Sequence, residues 1–384
     1  MRLIPDSDER DLAAMCRGVL AAECPTTLAR ALHTADGARV TPALWKALAE
    51  AGVLGLAVEE ELGGSGGGLP ELGVFCREAG RALCPMVVHS TLHAARAVDW
   101  LGGPPARAAW LPALASGTAR GATALWNPRD AADVTPTLRA RADTRGWRLS
   151  GVADFVADAD LADLIVVTAE TSGRTLGFVA DMGDVGSAGI TVEPIAMMGG
   201  HRAFTVGFDD VLVEDPRRVL GGAEGLAEGE LRRVANAAVA LLCLDLVGVG
   251  EAVVQRTVDY TKMREQFGRP IASFQAAQHL VANMHIALAT ARLAAQSAVF
   301  WIGRGRSATR ETAVARMRAV EVKRITLDAH QLHGGMGYVV DTDLHLFSER
   351  ARVLSTLGGG ADVAATWLEG EMDWEGGRGD REPR

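Results

Sequence analysis

Cysteine pairs, histidine clusters, glycine-rich turns and positioned carboxylates are the patterns through which a sequence announces chemistry. The five cysteines, Cys16, Cys24, Cys76, Cys84 and Cys243, form no CxxC pair and are odd in number. Reduced, buried thiols are expected, not a disulfide framework or a zinc site. The nine histidines show no HExxH spacing, so no metal centre is expected either. The run Gly63-Gly-Ser-Gly-Gly-Gly could cradle a phosphate, but it lacks a Walker lysine and the GxGxxG spacing after a strand. It reads as a tight turn.

The elements that must position any functional group follow from composition and proline placement. A chain of 384 residues with 48% hydrophobic and 23% charged residues has material for two or three packed domains. The net charge of −9 and the lack of long basic runs argue against nucleic acid as a partner. Met1 to Glu9 does not resemble a secretory leader. The densest apolar run, Ala235 to Val249, carries Asn236 and Asp245 and is short for a bilayer span. A cytoplasmic chain with no membrane role is expected. No proline falls between Pro216 and Pro270, or between Pro270 and Pro383. Such spans in an Ala-, Leu- and Arg-rich sequence predict long helices, over Leu231 to Arg264, Ser273 to Gly303 and Glu311 to His333. Four short β-rich runs, beginning at Trp147, Leu164, Thr175 and Phe204, predict a small central sheet. Helices return at Asp8 to Ala22 and Pro42 to Ala51. The order is therefore α, β, α: a helical domain over 1–118, a β domain over 119–222, a helical bundle over 223–372 and a frayed tail over 373–384.

Five segments in this order carry a resemblance. They are Leu54-Gly-Leu-Ala-Val-Glu-Glu-Glu-Leu-Gly-Gly; Gly151 with Phe155; Phe208 with Val211 and Val213; Tyr260-Thr-Lys-Met-Arg264-Glu-Gln-Phe267-Gly268 continuing to Gln275; and Gln331-Leu-His-Gly334-Gly335-Met-Gly337-Tyr338. Together they resemble the acyl-CoA dehydrogenases from about residue 8 to 370. The resemblance implies a mainly α fold with a central β-barrel-like sheet domain and a C-terminal four-helix bundle, assembled as a homo- or hetero-oligomer. It also implies FAD as cofactor and an acyl-CoA or carrier-bound acyl thioester as substrate. The motifs leave the acyl chain and the electron acceptor open. In this family the flavin site is shared between two subunits. On that pattern Arg264 would pair with the pyrophosphate of a neighbour's flavin, since a guanidinium suits that geometry. Phe267 would pack near the adenosine, Gln275 and Gln331 would offer amides, and Gly334 and Gly335 would allow close backbone approach. Plainer readings stand beside these: a solvated helix-end charge, a core ring and a helix cap.

The other half of the shared site departs from the family pattern. Trp126 stands where a flavin-contacting threonine is common, Ala132 where a serine lies near the substrate, and Ala157 where a hydroxyl bonds the flavin. An indole can donate a hydrogen bond but cannot accept one. The two family positions for the catalytic glutamate fall on Gly358 and Ala238, neither of which takes a proton. Asp362, one helical turn past Gly358, is the remaining candidate base, with surface or cap duty as its alternative; Glu228, Glu230, Asp245 and Glu251 are other carboxylates nearby. Three readings follow: one half of a heteromeric dehydrogenase, a stand-alone flavoenzyme with shifted chemistry, or a flavin-free subunit of the same fold.

Overall fold

The computed structural model describes residues 4–33, 40–184 and 189–371, so the tail over 373–384 lies outside the described residues. Six helices open the chain: α1 (Ser7–Glu23), α2 (Thr26–His33), α3 (Pro42–Glu50), α4 (Leu69–Ala82), α5 (Met86–Leu101) and α6 (Pro104–Ala115). Asp6 and Glu9 form a reciprocal capping box at the start of α1, and Pro42 takes the first turn of α3, where its missing N–H costs nothing. The glycine run after Leu62 is a tight turn folded back on Leu56 and Val58: Gly66 N–H donates to Val58 O and Gly67 N–H to Leu56 O.

Eight strands follow: β1 (Gly121–Ala124), β2 (Leu138–Asp143), β3 (Gly146–Ala157), β4 (Leu164–Thr171), β5 (Arg174–Asp181), β6 (Ile190–Ile195), β7 (Ala203–Val213) and β8 (Val219–Leu220). They form one sheet in the order β6-β7-β3-β2-β4-β5-β8, with β1 added parallel to β4. All four β-rich runs of the sequence lie in it. The long strand β3 slips register against β7 between Ala153 and Val156, and Phe155 in that bulge has φ +55. Bulges of this kind re-aim side chains next to sites.

The bundle is built on α7 (Glu228–Met263), whose residues from Leu231 to Val254 are almost all buried. A two-stranded hairpin, β9 (Glu265–Gln266) with β10 (Arg269–Pro270), leads to α8 (Gln275–Gly303), α9 (Thr309–Ala319), α10 (Val322–His333), α11 (Leu344–Leu354) and α12 (Ala361–Glu371). The single helix expected over Glu311 to His333 is two. No proline or glycine breaks it; Glu321, Lys323 and Arg324 N–H groups bond back three residues, which tightens the chain into a short 3-10 turn. Both α7 and α8 are long and apolar enough to span a membrane by composition, yet 89% of the apolar window of α7 is buried inside the protein. Helices α4 and α7 approach backbone to backbone: a Cβ on Gly80 would collide with Asp245 O, and one on Gly248 with Arg77 O. That close contact sets Asp245 against the N-terminal domain.

Candidate functional site

Six of the residues singled out as cofactor contacts lie on two surface segments. Helix α7 ends as Arg264 N–H donates to Tyr260 O (2.8 Å), and the chain turns through β9 and β10 with Phe267 (φ +53) and Gly268 (φ +77) at the tip. Phe267 is 94% exposed. Beneath it, Phe274 meets its edge with centroids 6.3 Å apart, and Arg269 lies over the Phe274 ring at 4.1 Å. Gln275 then opens α8, exposed. At the end of α10, Gln331, Gly334 and Gly335 are also exposed, and a Cβ on either glycine would meet nothing within 4 Å. Tyr260 joins the two segments. Its ring stacks on His333 (4.3 Å between centroids, 19° between planes), and its hydroxyl donates to His333 O at 3.3 Å. Arg264 is exposed and pairs with no carboxylate among the described residues.

The second half is recessed but partly open to solvent. A cavity of about 90 Å³ lies between α5, α7, the sheet and the loop before α12. Trp126, Ala157, Ala238 and Gly358 all line it, so four positions picked from sequence converge there. Ala132 does not. Its N–H is taken by Asp130 Oδ1 (3.0 Å), and its side chain packs toward the helical core. A larger hollow of about 390 Å³ shares Trp126 and Phe155 as walls but reaches neither Gly358 nor Ala238.

Gly358 has φ +74, a conformation that L side chains avoid. Its N–H donates to Pro128 O (2.8 Å) and its carbonyl accepts from Ala131 N–H (3.0 Å). A Cβ there would press on Ala131 and Val239 at 3.3 and 3.4 Å. Asp362 is exposed on the first turn of α12 and lines neither cavity. The other carboxylates are engaged elsewhere: Glu228 with Arg232, Glu230 in the cap of α7, Glu251 with Arg77 and Arg81. Among the described residues the one carboxylate lining the small cavity is Asp154, exposed and accepting from Thr205 Oγ1 at 2.7 Å.

Behind the cavity lies a polar network that the motifs did not indicate. Arg350 donates to both oxygens of Asp245 (Nε to Oδ1 2.8 Å, Nη2 to Oδ2 2.6 Å) and to Cys84 O (2.8 Å). His89 Nε2 lies 2.9 Å from Asp245 Oδ2. Burial alone would raise the Asp245 pKa, but Arg350 and His89 outweigh it and hold the carboxyl well below the usual range. One turn along α5, His93 lines the cavity, and burial together with His89 pushes its pKa down to about 3. Arg316 is fully buried under the glycine loop, donating to Gly359 O (2.7 Å) and Leu357 O (2.6 Å). It fixes the cavity wall. One signal was legible: a lone aspartate in the apolar run of α7 requires a buried partner.

Two family models match the chain: the acyl-CoA dehydrogenase N-terminal domain over residues 6–118 and C-terminal domain over residues 232–368. The acyl-CoA dehydrogenase IpdE2 of Mycobacterium tuberculosis is 30% identical over 337 residues, which is 86% of this chain and 87% of the relative. The solved ChsE4-ChsE5 complex from the same species has a chain 26% identical, matching 97% of this chain and 98% of its own length with a TM-score of 0.86. The Tcur3481-Tcur3483 steroid ACAD is 29% identical, covering 94% of this chain and 97% of its own, with a TM-score of 0.83. The helix–sheet–helix order, the matched domains at both ends and this degree of identity agree: the chain belongs to the acyl-CoA dehydrogenase family.

Proposed function

We propose that this chain is one subunit in the FAD-dependent α,β-dehydrogenation of an acyl thioester. It gives the adenosine-diphosphate side of a flavin site to a same-fold neighbour, which supplies the catalytic carboxylate. The observation that carries this reading is the contrast between the two halves of the site. The outward half fits the cofactor: Arg264 would hold the pyrophosphate, Gln275 and Gln331 would offer amides, and the glycine turn leaves its backbone open to approach. Exposed apolar side chains lie on the same segments, Met263, Phe267, Met336, Tyr338 and Val340 among them, as an oligomer interface needs.

The inward half departs from the family's flavin contacts: Trp126, an indole, stands where a hydroxyl would be wanted, on the wall shared by the cavity of about 90 Å³ and the hollow of about 390 Å³. When bound, FAD supplies the acceptor for the β-hydrogen. Removal of the weakly acidic α-proton needs a positioned base worth roughly 10²–10⁴ in rate. Gly358 and Ala238 offer none. The likeness to a ChsE4-ChsE5 complex supports an assembly of two kinds of chain. The burial of α7 within the bundle argues that this helix is core and does not span a membrane.

The test is the absorption spectrum and solution mass of the purified chain, alone and mixed with a same-fold subunit that carries the base. The expected result is a colourless protein that takes up FAD only in the mixture. A yellow homo-oligomer that dehydrogenates an acyl-CoA by itself would overturn the reading. One observation favours a second: Asp154 reaches the cavity wall. A stand-alone enzyme using that carboxylate would lose turnover in Asp154→Asn.

A further inference from the structure

The segment that leaves α10 forms part of the outward half of the site, yet little of it is packed. From Gly334 to Asp341 every residue but Gly337 is exposed. The backbone there is folded only into two short 3-10 turns, Gly334–Tyr338 and Val340–Thr342. Two side chains from outside the segment bond to it. His330 reaches up from α10, with Nδ1 2.7 Å from Gly337 O and its ring stacked under Tyr338 at 5.1 Å. The second is Arg30, on α2 of the N-terminal domain. Its Nε donates to Asp343 Oδ1 (2.5 Å), and its Nη2 donates to Val340 O (3.3 Å) and Asp341 O (3.1 Å). One half-buried guanidinium thus closes the end of a surface segment 313 residues away in sequence. Asp343 has φ +59, a left-handed backbone that side chains disfavour, and from there α11 begins. Three residues past Arg30, His33 Nδ1 lies 3.3 Å from Glu349 Oε2, so α2 is tied to α11 at a second point.

We propose that Arg30 is a positioning residue for the flavin: by fixing the Val340–Asp343 loop it sets the posture of the glycine turn and Tyr338. The inference rests on the shared-site reading above and adds to it a residue of the N-terminal domain. The planar guanidinium makes an ion pair and two carbonyl bonds at once, a fork that the point charge of a lysine does not reproduce. Without it, fewer chains hold the turn in the binding posture, and the apparent affinity falls by that fraction. A competent fraction of about one in ten weakens FAD uptake about tenfold.

The experiment is fluorescence titration of FAD into the assembly formed with the same-fold subunit, comparing the wild type with Arg30→Ala, Arg30→Lys and Arg17→Ala. Arg17 pairs with the buried Glu78 in the same domain (2.9 Å), so its loss reports on general destabilisation. Arg30→Ala is expected to weaken FAD uptake about tenfold, with Arg30→Lys in between because it keeps the charge and loses the fork. Arg17→Ala should lower the melting temperature and leave FAD affinity as in the wild type. Hydrogen exchange at the amides of Val339, Thr342 and Asp343, which close the two turns, should quicken in Arg30→Ala and not in Arg17→Ala. Wild-type FAD affinity in both Arg30 variants, or an equal loss in Arg17→Ala, would overturn the proposal and leave the shared-site reading in place. A wild-type assembly that takes up no FAD would overturn both.

Discussion

The ends of α7 and α10 present Arg264, Phe267, Gln331 and a glycine turn to the outside, with no carboxylate paired to Arg264 among the described residues. The space under the Gly358 loop is the reverse, a recessed cavity whose flanking charges, Asp245, Arg350 and Arg316, are buried and bonded to one another or to backbone carbonyls. Surface groups without internal partners contribute little to holding a fold together, so they are available to a second molecule. Buried groups that satisfy each other hold the fold and leave little for catalysis. The two regions divide binding from stability, and each can be broken without the other.

The largest effect is expected in the recessed region. Arg350→Met leaves Asp245 charged and buried, which should cost about 3–5 kcal/mol of unfolding free energy in urea titrations. Arg264→Ala should leave the melting temperature unchanged and weaken FAD uptake by the assembly about ten- to hundredfold, measured by fluorescence titration. A melting shift comparable to that of Arg350→Met would show that Arg264 is structural and would collapse the contrast. Gly358→Glu restores a carboxylate in name only. The left-handed backbone and the contacts with Ala131 and Val239 should cost about 1–3 kcal/mol, with no gain in turnover.

Acid titration sharpens the same division. His93 and His201 have pKa values pushed by burial from 6.5 to about 3, so the unfolded chain binds protons first as pH falls. Stability is full above pH ~6.5 and declines toward pH ~3, by at most about 1.4 kcal/mol per pH unit for each histidine. His93→Leu should flatten that slope. Asp245, with its pKa depressed, keeps its contribution above about pH 4 and loses it only in strong acid. Smallest of all, Asp362→Asn is expected to change neither activity nor stability beyond about 0.5 kcal/mol, as the exposed position implies.

The legibility of the sequence follows the same line. Long proline-free spans marked α7 and α8, and β-branched runs marked the sheet strands, because local composition decides such elements. Trp126, Ala157, Ala238 and Gly358, chosen by motif alignment, do meet in space. Ala132 does not, because the turn between Asn127 and Asp133 directs it elsewhere. The pairing of Asp245 with Arg350 and His89 spans distant parts of the chain, and no local pattern encodes it. The division of α9 from α10 rests on backbone bonding with no proline or glycine to announce it.

The bonds that close the small cavity also have a history in time. Its wall includes the exchange between Gly358 and the Pro128–Ala131 loop, and Trp367 Nε1 donates to Asp130 Oδ1 (2.8 Å) across 237 residues of sequence. Contacts of such separation form late, after the intervening chain has been synthesised and folded. The sheet domain must therefore wait with its loop open until the last helix docks. Pulse-labelled hydrogen exchange during refolding should find Gly358 and Ala131 among the last amides to gain protection.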